Sequence, residues 1–213
     1  MSEYRFTVLD VVAEPYAVAP QLTARLRIDE TTGQRIHAIA LRCQVRIEPH
    51  RRQYADRERD ALRGLFGDRE RWVDTLRPFQ WMQCHTTVQG FVGSTETDLA
   101  LPCTYDLDVI GTRYLHALHA GEIPLDLLFS GTVFLRGRTG FEVEQVPWSC
   151  EAHYQLPVST WRAMIAAYFP NSGWLRVDSD VLEALAGYRA RYGLTSWDET
   201  MHRLLAAADG STP

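Results

Sequence analysis

At 213 residues, with 46% hydrophobic and 23% charged side chains, the chain has the composition of a globular protein large enough to need no disulfide or metal staple. Its formal net charge of -5 argues against a dedicated nucleic-acid binder. No apolar run approaches the roughly 20 residues that cross a bilayer. There is no lysine: all 22 basic side chains counted as Lys plus Arg are arginine, which excludes Schiff-base catalysis and a P-loop. Met1 to Phe6 leads into no signal-peptide core, so the expected location is the cytoplasm.

Phe6, Val8, Val11 and Val12 predict a short opening strand, broken at Pro15 and Pro20. Leu22, Ala24, Leu26 and Ile28 alternate with Thr23, Arg25 and Arg27, and Ile36 to Glu48 alternates over a longer stretch. With the polar turn from Asp29 to Gln34 between them, these two runs read as an antiparallel hairpin with one wet face. The period then changes. Arg51 to Phe66 sets Tyr54, Glu58, Ala61, Leu62, Leu65 and Phe66 at helical spacing, Gly67 is a stop, and Asp68 caps a short helix through Trp72 and Leu76. Arginines between Arg51 and Arg77 interleave with Asp56, Glu58, Asp60, Asp68, Glu70 and Asp74, the pattern of a solvated, salt-bridged face.

Sheet resumes at Trp81 to Val92, and Gly93-Ser94 turns the chain into a strand from Leu99 to Val109 that Gly111 ends. Arg113 to Ala120 predicts a short helix stopped by Gly121, and Pro124 to Phe134 a buried strand. Strands follow at Phe141 to Val146 and Trp148 to Leu156. From Pro157 the pattern is helical. Ser159 is placed to cap a helix carrying Trp161, Ile165 and Tyr168. Asp178 or Ser179 starts another with Leu182, Leu185, Tyr188 and Tyr192, which Gly193 closes. Ser196-Trp-Asp-Glu199 has the spacing of a capping box for a last helix with Met201, Leu204 and Leu205. The expected fold is α+β: a mainly antiparallel two-sheet β-sandwich over 1–157 with a helical insertion at about 51–77, and C-terminal helices over 158–208 packed on the same domain.

Strand parity points the thiols of Cys43, Cys84, Cys103 and Cys150 toward the core, where a free cysteine behaves as a small hydrophobe. No C-x-x-C pair occurs, and Val92 and Glu96 occupy the positions where a nucleophile elbow around Ser94 needs glycine. No G-x-G-x-x-G follows a strand, so no dinucleotide cofactor is expected. The candidates for chemistry are few. His116 and His119, three apart on the predicted helix, share a face from which both imidazoles reach one metal ion, with His85, His153, Asp106 or Asp126 available to complete the set. Asp106, Asp108, Glu122 and Asp126 offer paired carboxylates. Of six tryptophans, Trp161, Trp174 and Trp197 fall in the helical end as candidate partner-binding anchors.

The chain resembles an uncharacterised family found mainly in actinobacteria. The resemblance rests on Trp72 with Thr75-Leu-Arg77, Pro102-Cys-Thr-Tyr-Asp106, Gly121-Glu-Ile-Pro-Leu125 and Leu128-Phe-Ser-Gly-Thr-Val-Phe134. It extends through Val146-Pro-Trp148, Tyr168-Phe-Pro-Asn171 with Trp174, and Gly193-Leu-Thr-Ser-Trp197. It carries no catalytic residue. It implies a gene neighbourhood that includes nickel-iron uptake hydrogenases and, with the absence of a catalytic arrangement, favours a non-enzymatic accessory, assembly or binding protein with a protein partner; composition and motifs add the expectation of no cofactor, no nucleic acid and no membrane span. A homo-oligomer is compatible with it. Two alternatives stand beside it: a metal-dependent or small-ligand enzyme with its pocket near His116 and His119, and a chaperone-like binder presenting apolar grooves.

Overall fold

The computed structural model describes residues 4–104, 106, 109–137, 140–173 and 175–210. Among the described residues eight strands form two antiparallel sheets. The three-stranded sheet has the order β1 (Tyr4–Ala13), β2 (Gln21–Glu30), β5 (Ser94–Pro102). The five-stranded sheet has the order β4 (Phe79–Val92), β3 (Arg35–Ile47), β6 (Glu122–Arg136), with β7 (Phe141–Gln145) and β8 (Glu151–Pro157) both pairing with β6. α1 (Asp56–Phe66) and α2 (Trp72–Thr75) lie between β3 and β4, and α3 (Ile110–Ala117) between β5 and β6. α4 (Val158–Tyr168), α5 (Ser179–Arg191) and α6 (Trp197–Asp209) follow β8. Among the described residues no helix is long and apolar enough to cross a membrane.

The chain divides into two compact units, Met1–Gly173 and Trp174–Pro213. In the first, alternation buries one face of each long strand: Leu22, Ala24, Leu26 and Ile28 from β2, and Ile39, Leu41, Cys43, Val45 and Ile47 from β3. The two sheets meet through these faces, and Phe6 of β1 stacks on Phe129 of β6 with centroids 4.3 Å apart. Register shifts between Val8 and Asp10 in β1, and between Ile36 and Ala38 in β3, change the parity of the buried residues along each strand. The helical insertion is fastened by rings. Tyr114 of α3 lies edge-on to Tyr54, Phe66 and Phe79, and its hydroxyl is 2.8 Å from that of Tyr54.

Several predicted elements move. Leu22–Ile28 and Ile36–Glu48 are no hairpin: β2 pairs with β1 and β5, while β3 pairs with β4 and β6. The turn between them crosses from sheet to sheet, organised by the buried Glu30 carboxylate, which accepts hydrogen bonds from the N–H groups of Thr32 (2.6 Å) and Gly33 (2.8 Å). One-sided parity is the same for neighbours within a sheet and for strands facing each other across a sandwich. The strand from Leu99 stops at Pro102, whose missing N–H cannot continue a ladder; Tyr105, Leu107 and Asp108 of that expected strand lie outside the described residues. The first long helix starts at Asp56 rather than Arg51, because Pro49–Arg51 forms a separate 3-10 turn. Trp148 is 94% exposed in a turn, so β8 begins only at Glu151. Pro157, and not Ser159, occupies the N-cap of α4.

The second unit consists of α5, a turn and α6. Gly193 takes φ +64 after α5 and donates its N–H to Ala190 O at 3.2 Å, while Leu194 N–H reaches Arg189 O, a Schellman-type stop. Ser196 Oγ accepts the Glu199 N–H at 3.1 Å, and the Glu199 carboxylate reaches back to Thr195 N–H at 2.8 Å, one residue beyond the usual capping-box partner.

Candidate functional site

Asp126 interrupts the apolar run from Ile123 to Phe129 on β6. Register places Arg46 of β3 and His153 of β8 on either side of it, all three on the outer face of the five-stranded sheet. Although only 7% exposed, Asp126 is well served: Oδ1 accepts from Arg51 Nη1 at 2.8 Å and stands 2.6 Å from His153 Nδ1. A proton on that nitrogen donates to the carboxylate and leaves Nε2 facing outward, 3.9 Å from Glu151 Oε1. Glu48, at the end of β3 and 2% exposed, is held by Arg46 at 3.3 Å and His50 at 3.6 Å. Burial, then the Asp126 charge, pushes its carboxyl above the ordinary range despite Arg46, Arg51 and His50.

One turn further, Arg52 and Glu58 form a buried pair at 3.1 Å. The Glu58 carboxylate also accepts the N–H groups of His119 (2.7 Å) and Ala55 (3.2 Å), and Arg52 donates to the carbonyls of Ala120 and Glu122. Burial pushes Glu58 up, but these N–H donors and Arg52 outweigh it and hold its carboxyl below the ordinary range. Glu58 is thus no member of a solvated charged face; the exposed Asp56–Arg59 and Arg63–Asp68 pairs are. Above this floor lies a cavity of about 550 Å3, walled by Arg51, Gln53, His119, Glu122, Pro124 and Gln155 among others. Its walls offer both donors and acceptors to a small polar ligand.

The two histidines expected to share a helical face do not. α3 ends at Ala117, so His119 lies in the loop, exposed, with Nδ1 3.1 Å from Ala117 O. His116 is half-buried and meets Trp161 edge-on at 4.9 Å; burial, with Arg162 nearby, holds its imidazole below the usual histidine range. Gly111, expected to precede the helix, lies inside it, where a Cβ would come within 2.7 Å of Trp81. His85 stands exposed on β4, apart from the Asp126–His153 pair by sheet register. Among the described residues no three His, Cys, Asp or Glu side chains gather as a metal set. Cys43, Cys84 and Cys150 are buried and Cys103 is partly so; burial pushes Cys43 and Cys103 up to about 12 and Cys84 up to about 11, which leaves little thiolate for nucleophilic chemistry.

Of the three tryptophan anchors, Trp161 is 2% exposed and fills the core, and Trp174 lies outside the described residues. Trp197 is partly exposed, with the Arg189 guanidinium 4.6 Å over its ring. The second unit adds residues that spacing had marked as helical but not as surface: Leu182, Tyr192, Met201 and Leu205 are all exposed, as is Val181 beside them. Neither α5 nor α6 buries an apolar side chain; Thr200 is the buried residue of the pair. The cavity residues were harder to find. A lone acid inside the Ile123–Phe129 run was the available signal for Asp126, and Glu58 carried one too, as an acid on an otherwise apolar helical stripe.

A family model described as a family of unknown function (DUF6084) matches residues 1–213. The chain is a DUF6084 protein. No curated protein matches it. Among solved structures, the sporulation control protein Spo0M of Bacillus subtilis aligns at 11% identity and a TM-score of 0.31, over 88% of this chain and 56% of its own. A β-glucosidase of Kluyveromyces marxianus aligns at 8% identity and 0.25, and β-glucosidase 3B of Thermotoga neapolitana at 13% and 0.26, each over 72% of the DUF6084 chain but 15% and 17% of their own. The DUF6084 chain therefore spans little more than half of the first and less than a fifth of the others. At such identities and TM-scores the likeness assigns no activity.

Proposed function

We propose that this DUF6084 protein is a non-enzymatic binding or assembly partner that docks onto another protein through its C-terminal helical hairpin. The observation that carries this reading is that no apolar side chain is buried among the described residues of Trp174–Pro213. α5 and α6 have 13 residues each, at the margin where isolated helices form in water. A unit of this size without disulfide or metal lacks the burial to fold unaided. The spacing of its apolar residues is regular: Val181, Leu185, Tyr188 and Tyr192 on α5, and Trp197, Met201, Leu204 and Ala208 on α6, run in steps of four, three and four. Such stripes are the seams by which helices pack into bundles or grooves. A partner with an apolar helical surface supplies the burial that the hairpin lacks. The resemblance to proteins encoded beside nickel-iron uptake hydrogenases makes that system the first companion to examine.

The test is native mass spectrometry of the protein isolated gently from its host, alongside a variant with Val181→Asp and Met201→Asp. A second polypeptide held at fixed stoichiometry by the wild type and lost from the variant is the expected result. A chain that runs alone, or solely as a self-dimer, overturns the reading.

A small-ligand enzyme is favoured by one arrangement: the His153 imidazole oriented by the buried Asp126 close to the cavity that Arg51, His119 and Gln155 line. Substrate-dependent protection of His153 from diethyl pyrocarbonate supports it, and indifference of His153 to every polar metabolite pool tried removes it.

A further inference from the structure

The middle of the outer face of the five-stranded sheet carries a second cavity. There Arg42 of β3 stands opposite His85 of β4, Gln44 opposite Gln83, and Ala40 opposite Thr87. On the other side of β3, Arg42 faces Ser130 and Ala40 faces Thr132 of β6. The intervening Leu41 and Cys43 are buried, so this row points away from the core. Ala40, a single methyl among longer neighbours, leaves a trough of about 620 Å3 lined by Arg42, Gln83, His85 and Thr87 among others. That volume suits a small organic ligand.

The chemistry of the trough is one-sided. Its lining offers a guanidinium, an imidazole, a carboxamide and hydroxyls, and no carboxylate. Several arginines of the fold are matched to a carboxylate, Arg46 with Glu48, Arg51 with Asp126, Arg52 with Glu58, Arg59 with Asp56 and Arg63 with Asp68 among them. Among the described residues Arg42 has no such partner. Arg42 and His85 are direct cross-strand partners on one face, near enough for both to donate to a single ligand lying between them. The planar guanidinium fork matches the two oxygens of a phosphate or carboxylate, and both side chains rise from paired strands rather than from mobile loops.

We infer that this trough is an oxyanion site, which takes a small molecule bearing a phosphate or a carboxylate with Arg42 as the bidentate donor and His85, Gln83 and Thr87 completing its hydrogen bonds. The site is built wholly from β3 and β4 of the first unit, apart by register from Asp126, and it stands or falls independently of the protein-docking reading.

The test is a titration of the full-length protein followed by amide chemical shifts, with inorganic phosphate, ribose 5-phosphate and citrate in separate arms. Arg42→Gln is compared with Arg57→Gln, an exposed arginine on α1. Expected are saturable shifts confined to residues 40–44 and 83–87, weakened about tenfold or more by Arg42→Gln and untouched by Arg57→Gln. Response to the phosphates alone makes the ligand a phosphorylated one, and response to citrate alone a carboxylated one. Absence of saturable shifts in all arms, or shifts that Arg42→Gln leaves unchanged, overturns the site.

Discussion

Glu48 and Glu58 are both buried glutamates, yet their surroundings drive them in opposite directions. Burial raises both. At Glu58 the N–H groups of His119 and Ala55, with Arg52, more than reverse that, so its folded-state carboxyl titrates below the ordinary glutamate value of 4.5. At Glu48 the Asp126 charge adds to burial, and the carboxyl titrates above 4.5. The linkage signs follow. Stability from Glu58 is present above 4.5 and disappears as pH falls through its lowered value; at Glu48 stability is greatest below 4.5 and is lost as pH rises through its raised value. Glu58→Gln is therefore expected to destabilise the protein by about 2 kcal/mol near neutral pH, the worth of charged hydrogen bonds, with the deficit shrinking in acid. Glu48→Gln should gain on the wild type as pH rises. Urea midpoints for the three proteins across the acid range check both slopes, and parallel slopes would contradict the assignment.

At the scale of the element, the pairing of β3 with β6 depends on one glycine. Gly131 takes φ +145, and a Cβ there would sit 2.2 Å from the carbonyl oxygen of Ala40 on the neighbouring strand. Gly131→Ala must either spread the two strands or shift the backbone. The combined strain and overpacking should cost about 3 kcal/mol, read as a lower urea midpoint with the m-value retained. α6 is secured more weakly. Ser196→Ala removes the acceptor for Glu199 N–H, and a loss of about 1 kcal/mol of local helix stability should appear as faster exchange of the first-turn amides of α6. The capping box was legible because it depends on residues three apart in the chain. The burial of Leu22 to Ile28 and of Cys43 was legible too, since alternation sets which side chain faces inward. Which strand lies beside which was not, because β2 and β3 have the same parity in separate sheets as they would have in one hairpin. The His116–His119 site failed at a helix end: Gly121 looked like the stop, whereas α3 closes at Ala117, four residues earlier, and the imidazoles part there. Asp126, Arg51 and His153 are far apart in sequence, and only β6–β8 pairing and the 3-10 turn after β3 bring them together.

Over the whole molecule, burial is distributed very unevenly. Every buried apolar side chain among the described residues lies between Tyr4 and Ile165, whereas α5 and α6 contribute none. An amide in the centre of β3 or β6 exchanges its hydrogen only when paired strands separate and the joint core of the sheets opens, so its protection approaches the global unfolding free energy. An amide in α5 or α6 needs only the local helix to fray, which exposes little apolar area that is not exposed already. In the isolated protein, hydrogen exchange is expected to be at least about a thousandfold faster in Ser179–Arg191 and Trp197–Asp209 than in the centres of β3 and β6, about 4 kcal/mol at 1.4 kcal/mol per decade. On binding the docking partner, the amides of α5 and α6 should slow while those of β3 and β6 keep their rates, because the partner supplies burial where the chain has none. Equal protection of hairpin and sheets in the isolated protein would mean that the exposed faces of α5 and α6 are covered in solution, and the physical case for a docking hairpin would be lost.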